Sequence, residues 1–506
     1  MRGERIKSAC LFAVRGRIFL HEDKFLEKQV QIRRKTKMKQ HKDDRKILWH
    51  TLAFMAFSTV WGFGNVINGF SEYGGLKAIV SWILIFAIYF VPYALMVGEL
   101  GSTFKHAGGG VSSWIHETIG PRMAYYAGWT YWVVHMPYIS QKPNSTVIAA
   151  SWALFQDKRA SGMNTTVMQL ICLVIFLFAM YLSSKGMSVL KRLSTLAGSA
   201  MFIMSMLFIV MMVAAPALTT GAFVPIEWSV RTFMPTFDMS FFMGLSILVF
   251  AVGGCEKISP YVNKMKDPAR DFSKGMVALA LMVAVTAILG TIALGMMFDS
   301  NHIPGDLMTN GAYYAFQKLG EYYHMGNFFV VVYALTNLIG QFSVMVLSVD
   351  APLRMLLDSA DSRFIPSRMF EKNEHGTYVN GHRLVLLIVC VLIVVPAFGI
   401  KNVDVLVRWL VKVNSVCMPL RYLWVFVAYI ALKKAGDKFQ AEYRFLKGRI
   451  PGILVGTWCF VFTAFACITG IYSEDPFQLV LNIITPFVLV GLGFILPWMA
   501  EREKKA

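Results

Sequence analysis

Apolar residues along this chain gather into repeated runs of about 20, the length at which a helix rising ~1.5 Å per residue crosses a hydrocarbon core of ~30 Å. Such runs fall near 48–71, 76–104, 122–155, 165–184, 189–215, 238–262, 274–298, 325–357, 382–400, 404–432, 449–471 and 476–499. About twelve spans follow. Backbone N–H and C=O groups have no water to bond inside a bilayer, so the runs are expected as helices, and the alternating strands of a membrane β-barrel are absent from the pattern. The predicted fold class is an all-α membrane protein.

The polar connections predict orientation. Lys and Arg crowd 1–45, 185–192, 257–274, 354–383, 433–449 and 502–505, whereas the intervening connections carry Glu227, Asp299, Asp306, Glu321, Glu474 and Asp475. Lys158, Arg159, Lys401 and Arg408 run against this alternation. Basic connections favour the cytoplasmic side, which places both termini there, requires an even number of spans and predicts a multi-pass protein of the plasma (inner) membrane. The first 45 residues hold no long apolar run: the stretch 9–14 is too short for a signal peptide, and Arg15 and Arg17 end it. Residues 1–37 read either as disordered or as an over-extended start.

Composition agrees with a lipid environment, since 56% of the 506 residues are hydrophobic and 16% charged, against roughly 25% charged in soluble domains. The net charge of +19 is a topology signal rather than a nucleic-acid footprint, because the cations flank spans instead of lining one soluble face. Six of the seven cysteines lie in apolar spans and Cys10 in the basic segment, with no CxxC spacing. They predict neither a disulfide framework nor a metal or other cofactor site.

Two spans contain residues that weaken a helix. The first reads Trp61-Gly62-Phe63-Gly64-Asn65 and the sixth Ala251-Val252-Gly253-Gly254-Cys255-Glu256. Each glycine destabilises a helix interior by roughly 1 kcal/mol. Small residues also serve ordinary helix contacts in membranes, but the two clusters occupy the same place in two successive sets of five spans. That arrangement points to an inverted-repeat transporter with a midplane site. Broken helices free main-chain donors and acceptors there, which suits the carboxylate and ammonium of an amino acid. The expected domains are the segment 1–45, a five-helix repeat over 46–215, an inverted repeat over 238–432 and two peripheral helices over 449–499.

The residues around these spans resemble a known family. After the second span the chain reads Gly98-Glu99-Leu100-Gly101, then Gly108-Gly109-Gly110-Val111, Ser113-Trp114 and Gly120-Pro121-Arg122. After the sixth-span break it reads Val262-Asn263-Lys264-Met265 and Asp267-Pro268-Ala269-Arg270-Asp271. Both stretches are similar to signatures of the glutamate/γ-aminobutyrate antiporter family, in the amino acid–polyamine–organocation superfamily. The resemblance covers roughly 45–500. It implies a fold of twelve helices with a five-plus-five inverted repeat, broken first and sixth helices, and amino-acid uptake or exchange by alternating access. It makes Gly108, Gly109 and Gly110 a cytoplasmic gate hinge.

Candidate substrate contacts are then Gly62, Phe63, Gly64 and Asn65 in the first span, Val252, Gly253, Gly254 and Glu256 in the sixth, and His135 and Tyr138 in the third. Glu256 stands as the functional carboxylate, with an inter-helix bond or an ion pair to the adjacent basic loop as the plainer reading. Glu99 lies near the inner end of its span and is expected to gate or brace. Asn337 with Gln341, and Asp350 with Arg354, stand one helical turn apart and are expected to share faces. Phe250 and Val252 depart from the family pattern, which leaves the substrate open between glutamate- or γ-aminobutyrate-like and neutral amino acids. Some carriers of the superfamily have a fifth-span lysine. Here Lys191 and Arg192 lie at the span's mouth, with Thr195 and Ser199 inside, so proton coupling by that route is not expected. Only a few residues follow the last span, and no long C-terminal plug is expected. The sequence leaves self-association into a homo-oligomer open. A non-transporting membrane sensor on the same scaffold is the alternative function, and it would call for a soluble signalling domain. An enzyme would call for a metal cluster, an HExxH motif or a nucleophile with its base, none of which the sequence shows.

Overall fold

The computed structural model describes residues 47–106, 110–358, 360–395 and 403–505. The chain divides into Met1–Ile47 and Leu48–Ala506, and the second unit forms the helical bundle. The basic segment 1–45 and the hinge residues Gly108 and Gly109 lie outside the described residues.

Among the described residues the secondary structure is helical apart from isolated bridge residues, among them the pair Lys372 and Tyr378. The first span is two helices, α1 (Trp49–Val60) and α2 (Phe63–Glu72). The second is α3 (Ala78–Ile85) and α4 (Val91–Thr103), joined through a wide π turn at Phe86–Phe90. Pro92 follows that turn at the start of α4, where the missing N–H and the ring disturb the preceding ladder. The short α5 (Val111–Thr118) precedes α6 (Pro121–Val133) and α7 (His135–Phe155), which make the third span. Then come α8 (Thr165–Ser183), α9 (Met187–Leu218), the single turn α10 (Val230–Phe233) and α11 (Met239–Val252), the last running into a 3₁₀ segment at Cys255–Lys264.

The second half continues with α12 (Pro268–Gly295), α13 (Leu307–Tyr322), α14 (Phe328–Leu357) and α15 (Val379–Val394). It closes with α16 (Val403–Cys417), α17 (Leu420–Ala435), α18 (Arg449–Gly470), α19 (Pro476–Gly491) and α20 (Ile495–Lys505). Nine helical stretches among the described residues are long and apolar enough to cross a membrane, and Val379–Val394 is a shorter apolar helix. The broken pair α1/α2 and the more polar pair α6/α7 supply the remaining two of the twelve expected crossings.

Helix ends differ from the apolar runs for a simple reason. Hydropathy marks what sits in lipid, whereas the helix continues into water until a cap ends it. Thus α12 begins at Pro268 instead of near 274, because the Asp267 side chain accepts from the Arg270 N–H and Pro268 fits the first turn. The helix α13 falls between two expected spans. Its buried Leu307, Ala312, Ala315, Phe316 and Leu319 recur at helical spacing, so the signal is amphipathic rather than uniformly apolar.

The two largest helix contacts are α7 against α14 and α17 against α18. Gly198 lets α9 cross α1 closely, since a Cβ there would collide with the Phe54 carbonyl. One end of the bundle brings together the ends of α4 and α12, where Ser273 Oγ donates to the Gly98 carbonyl at 3.2 Å, and the 358–378 connection, where Ser367 bonds Glu503. The other end gathers 156–164 and 296–327, joined by Lys158 and Asp306 at 3.4 Å.

Candidate functional site

The two breaks lie within reach of one side chain. In the first span Trp61 (φ −130°) and Gly62 (φ −153°) are extended, and α2 restarts at Phe63. The break is therefore at Trp61-Gly62, and the expected break residues Gly64 and Asn65 sit in the first turn of α2. In the sixth span the helix ends at Val252, Gly253 is extended and Gly254 takes φ +108°, a conformation open chiefly to glycine. The Asn65 amide donates at 3.2 Å to the Val60 carbonyl and at 3.2 Å to the Ala251 carbonyl. It thus satisfies one acceptor freed by each break and ties the two together.

A cavity of about 160 Å³ opens beside them. Ser58, Thr59, Gly62, Gly64, Asn65 and Gly253 form its broken-helix wall. From α7 come Tyr138, Gln141, Lys142, Ser145 and Ile148, the stripe that helical spacing puts on one face. Met308, Thr309, Ala312 and Tyr313 of α13 line it too, so the cavity runs from the breaks toward the end of the bundle that holds 156–164 and 296–327. The charged-type residues on its wall are Lys142, Lys257 and Arg421, and no Asp or Glu lines it among the described residues.

Several candidates stand behind this wall. Phe63 packs its ring against Phe208, Phe316 and Tyr333. Val252 is buried, as is Glu256, and neither lines the cavity. Glu256 accepts from the Tyr131 hydroxyl at 2.5 Å and from Tyr93, and stands 3.3 Å from Arg421 Nε, near enough for an ion pair although the N–H is not aligned for a hydrogen bond. Of the plainer reading's two forms, an inter-helix bond or an ion pair with the adjacent basic loop, the geometry has the inter-helix bonds, and the ion pair is made with α17, about a hundred and sixty residues onward. His135 is fully buried. Its Nδ1 lies 2.6 Å from the Tyr131 carbonyl, which takes the ring proton and leaves Nε2 to accept from Arg421. Of the third-span pair, then, Tyr138 faces the cavity while His135 supports Arg421 from behind. Gly254 lies against Arg421 Nη2, which a Cβ would approach to 3.2 Å.

The remaining polar residues fall into two groups. Asn337 and Gln341 share the cavity face, with Gln341 Nε2 donating to Asn337 Oδ1 at 3.1 Å and Asn337 donating to Tyr313 at 2.8 Å. At the opposite end Glu99 is buried against Lys433 at 2.5 Å, the Phe445 N–H at 2.9 Å and Tyr429 at 3.1 Å, which fastens α4 to α17 and the 436–448 connection. Asp350 pairs with Arg354 at 2.6 Å, as the one-turn spacing predicts, and accepts from Tyr261 of the 3₁₀ segment at 3.1 Å. Gly110, at φ +59°, presses so closely on Ser259 of that segment that a Cβ would collide with it. Thr195 and Ser199 of α9 bond within their helix or stand unsatisfied, and neither lines the cavity.

Lys142, Lys257, Arg421, Tyr93 and Tyr131 do not stand out as site residues from sequence. A signal exists for three of them, because Lys142, Lys257 and Arg421 are cationic residues within or at the edge of apolar spans, where ionisable groups are costly and mark function.

Comparison with known proteins accounts for this architecture. The family described as Amino acid permease matches residues 47–494. The Aspartate/glutamate permease AcaP of Lactococcus lactis subsp. cremoris (strain MG1363) is 49% identical over 475 residues, covering 92% of this chain and 97% of that protein. The inner membrane transporter YjeM of Escherichia coli (strain K12) is 23% identical over 443 residues, covering 81% and 88%. The glutamate/gamma-aminobutyrate antiporter of Lactococcus lactis subsp. lactis (strain IL1403) is 22% identical over 376 residues, covering 73% and 72%. A bundle of membrane-length helices, two broken helices beside a cavity and a family match over nearly the whole described chain together make this protein a multi-pass membrane transporter of the amino acid permease family, one that carries amino acids.

Proposed function

We propose that the substrate is an acidic amino acid, aspartate or glutamate, moved across the plasma membrane by alternating access. The observation that carries this reading is the cavity wall, whose charged-type residues Lys142, Lys257 and Arg421 are all basic. An ammonium with no carboxylate beside it is costly away from water, and a second carboxylate on the substrate supplies what the wall lacks. The name of the 49% identical relative supports the same class. Neutral and γ-aminobutyrate-like substrates fit this wall less well, since each brings one negative charge fewer.

In this reading the common part of the amino acid meets the main chain. The opening N–H groups of α2, at Phe63 and Gly64, have no acceptor within their helix and face the α-carboxylate, while the last carbonyls of α1 near Ser58 and Thr59 take the ammonium. Glu256 and His135 hold Arg421 in place. Residues 46–215 and 238–432 work as inverted repeats about this site, and 449–499 pack outside them. The basic connections put both termini in the cytoplasm, so the cavity faces outward, with the buried Glu99–Lys433 and Asp350–Arg354 pairs closing the inner end. No covalent chemistry is involved. Uptake of labelled aspartate into proteoliposomes, with glutamate, asparagine, alanine and γ-aminobutyrate as competitors, tests the reading. Glutamate should compete strongly and the others weakly. Equal competition by alanine or γ-aminobutyrate would remove the acidic assignment.

A further inference from the structure

Lys142 is placed to read one chemical group. It lies on the cavity face of α7, one helical turn beyond Tyr138, or about 6 Å along the axis. Its Nζ stands 4.5 Å from the centre of the Tyr138 ring, and Lys257 Nζ stands 5.3 Å from the same centre. The two lysines are held differently. Lys257 is buried and donates to Ser348 Oγ at 2.5 Å, so its amine is committed to α14 below the breaks. Lys142 is half-buried and donates to a neutral acceptor, Gln341 Oε1, at 3.2 Å. No carboxylate lies within ion-pair distance of it among the described residues.

Gln341 is itself oriented. Its Nε2 is spent on Asn337 Oδ1, and the Asn337 amide on the Tyr313 hydroxyl, so Oε1 is the end left to face Lys142. The chain Tyr313–Asn337–Gln341 thus parks a cation in the cavity on an uncharged oxygen, which an anionic oxygen can displace with a stronger, charge-assisted bond.

We propose that Lys142 is the specificity-determining residue that receives the side-chain carboxylate of the substrate. The inference rests on the substrate being acidic, as proposed, and assigns that preference to one side chain. The main-chain groups at the breaks fix the α-carboxylate and ammonium, and Lys142, on the wall of the same cavity beside Tyr138, takes the second carboxylate.

The test compares the dissociation constants of aspartate, glutamate, asparagine and glutamine for the purified wild type, Lys142→Gln, Lys142→Arg and Gln341→Glu. Loss of a hydrogen bond to a charged group weakens binding by on the order of tenfold to a hundredfold. Lys142→Gln should therefore bind the two acids at least tenfold more weakly while asparagine and glutamine bind as well as before or better, and Lys142→Arg should keep the acid preference. Gln341→Glu keeps Lys142 but gives it an internal carboxylate, and it should lose the acid preference too. A wild type that does not prefer acids defeats the acidic reading itself. A wild type that prefers them, with that preference intact in Lys142→Gln and Gln341→Glu, overturns the role of Lys142 alone. Gln341→Glu decides the matter should Lys142→Gln fail to fold.

Discussion

At the scale of single residues, the buried cluster around Glu256 shows how a carboxylate and a guanidinium stay together in lipid. Glu256 is fully buried, and each of its oxygens has a tyrosine hydroxyl, with Arg421 alongside. Removing one partner of a buried pair costs about 3–5 kcal/mol, because the other charge remains uncompensated. Glu256→Ala should therefore melt well below the wild type in detergent, and Glu256→Ala combined with Arg421→Met should recover part of the loss. Equal melting of Glu256→Ala and wild type would show that the pair contributes nothing. The sequence marks Glu256 as unusual, since an acid beside two glycines in an apolar span stands out. It does not reveal the partner, because Arg421 follows Pro419 in a distant span and a linear pattern carries no information about which helices touch. Lys142 is legible by the same logic as Glu256 but is less conspicuous, because it lies in the most polar of the spans.

At the scale of helices, both breaks were legible because glycine leaves a local mark, though the register of the first was not. Trp61 and Gly62 are the extended residues of the first break, and Gly64 is already helical with open space where a side chain would be. A leucine at Gly64 would accordingly act by filling the cavity rather than by closing the break. Gly253 is different, because the Tyr422 ring lies against its backbone and a Cβ would collide with that ring. Gly253→Ala must displace a buried tyrosine of α17, and overpacking of this kind costs about 1–3 kcal/mol. We expect that variant to reach the membrane in normal amount but to lose most of its uptake, whereas Gly64→Ala should retain it. Uptake by Gly253→Ala at the wild-type rate would show that the contact can relax. The Asn65 clasp was not legible, since it depends on two carbonyls from spans nearly two hundred residues apart meeting one amide. The π turn at Phe86–Phe90 escaped because it lies inside a uniformly apolar run marked locally by Pro92 alone, and the helix α13 because its signal is amphipathic rather than uniformly apolar.

At the scale of the whole molecule, the number and order of the spans could be read directly, because lipid imposes one demand on every segment that crosses it. What could not be read was how the bundle closes. At the end opposite the cavity mouth the Glu99–Lys433 pair joins α4 to α17 across more than three hundred residues of chain, and Asp350, paired with Arg354 on its own helix, accepts from Tyr261 of the 3₁₀ segment. The basic cavity wall has an electrical consequence as well. A carrier that changes state with Lys142 empty moves a fixed positive charge through part of the membrane field, and an acidic substrate cancels one unit of it. The loaded and empty crossings therefore differ by one elementary charge, worth up to about 2.3 kcal/mol per 100 mV. Membrane voltage should bear more strongly on the empty return than on the loaded step. In proteoliposomes polarised by a potassium gradient, net aspartate uptake should change with the imposed voltage more than aspartate–aspartate exchange does, and equal voltage sensitivity of the two fluxes would contradict this. With an acidic substrate, as proposed, on both faces of the membrane, the potential then sets how far transport departs from one-for-one turnover.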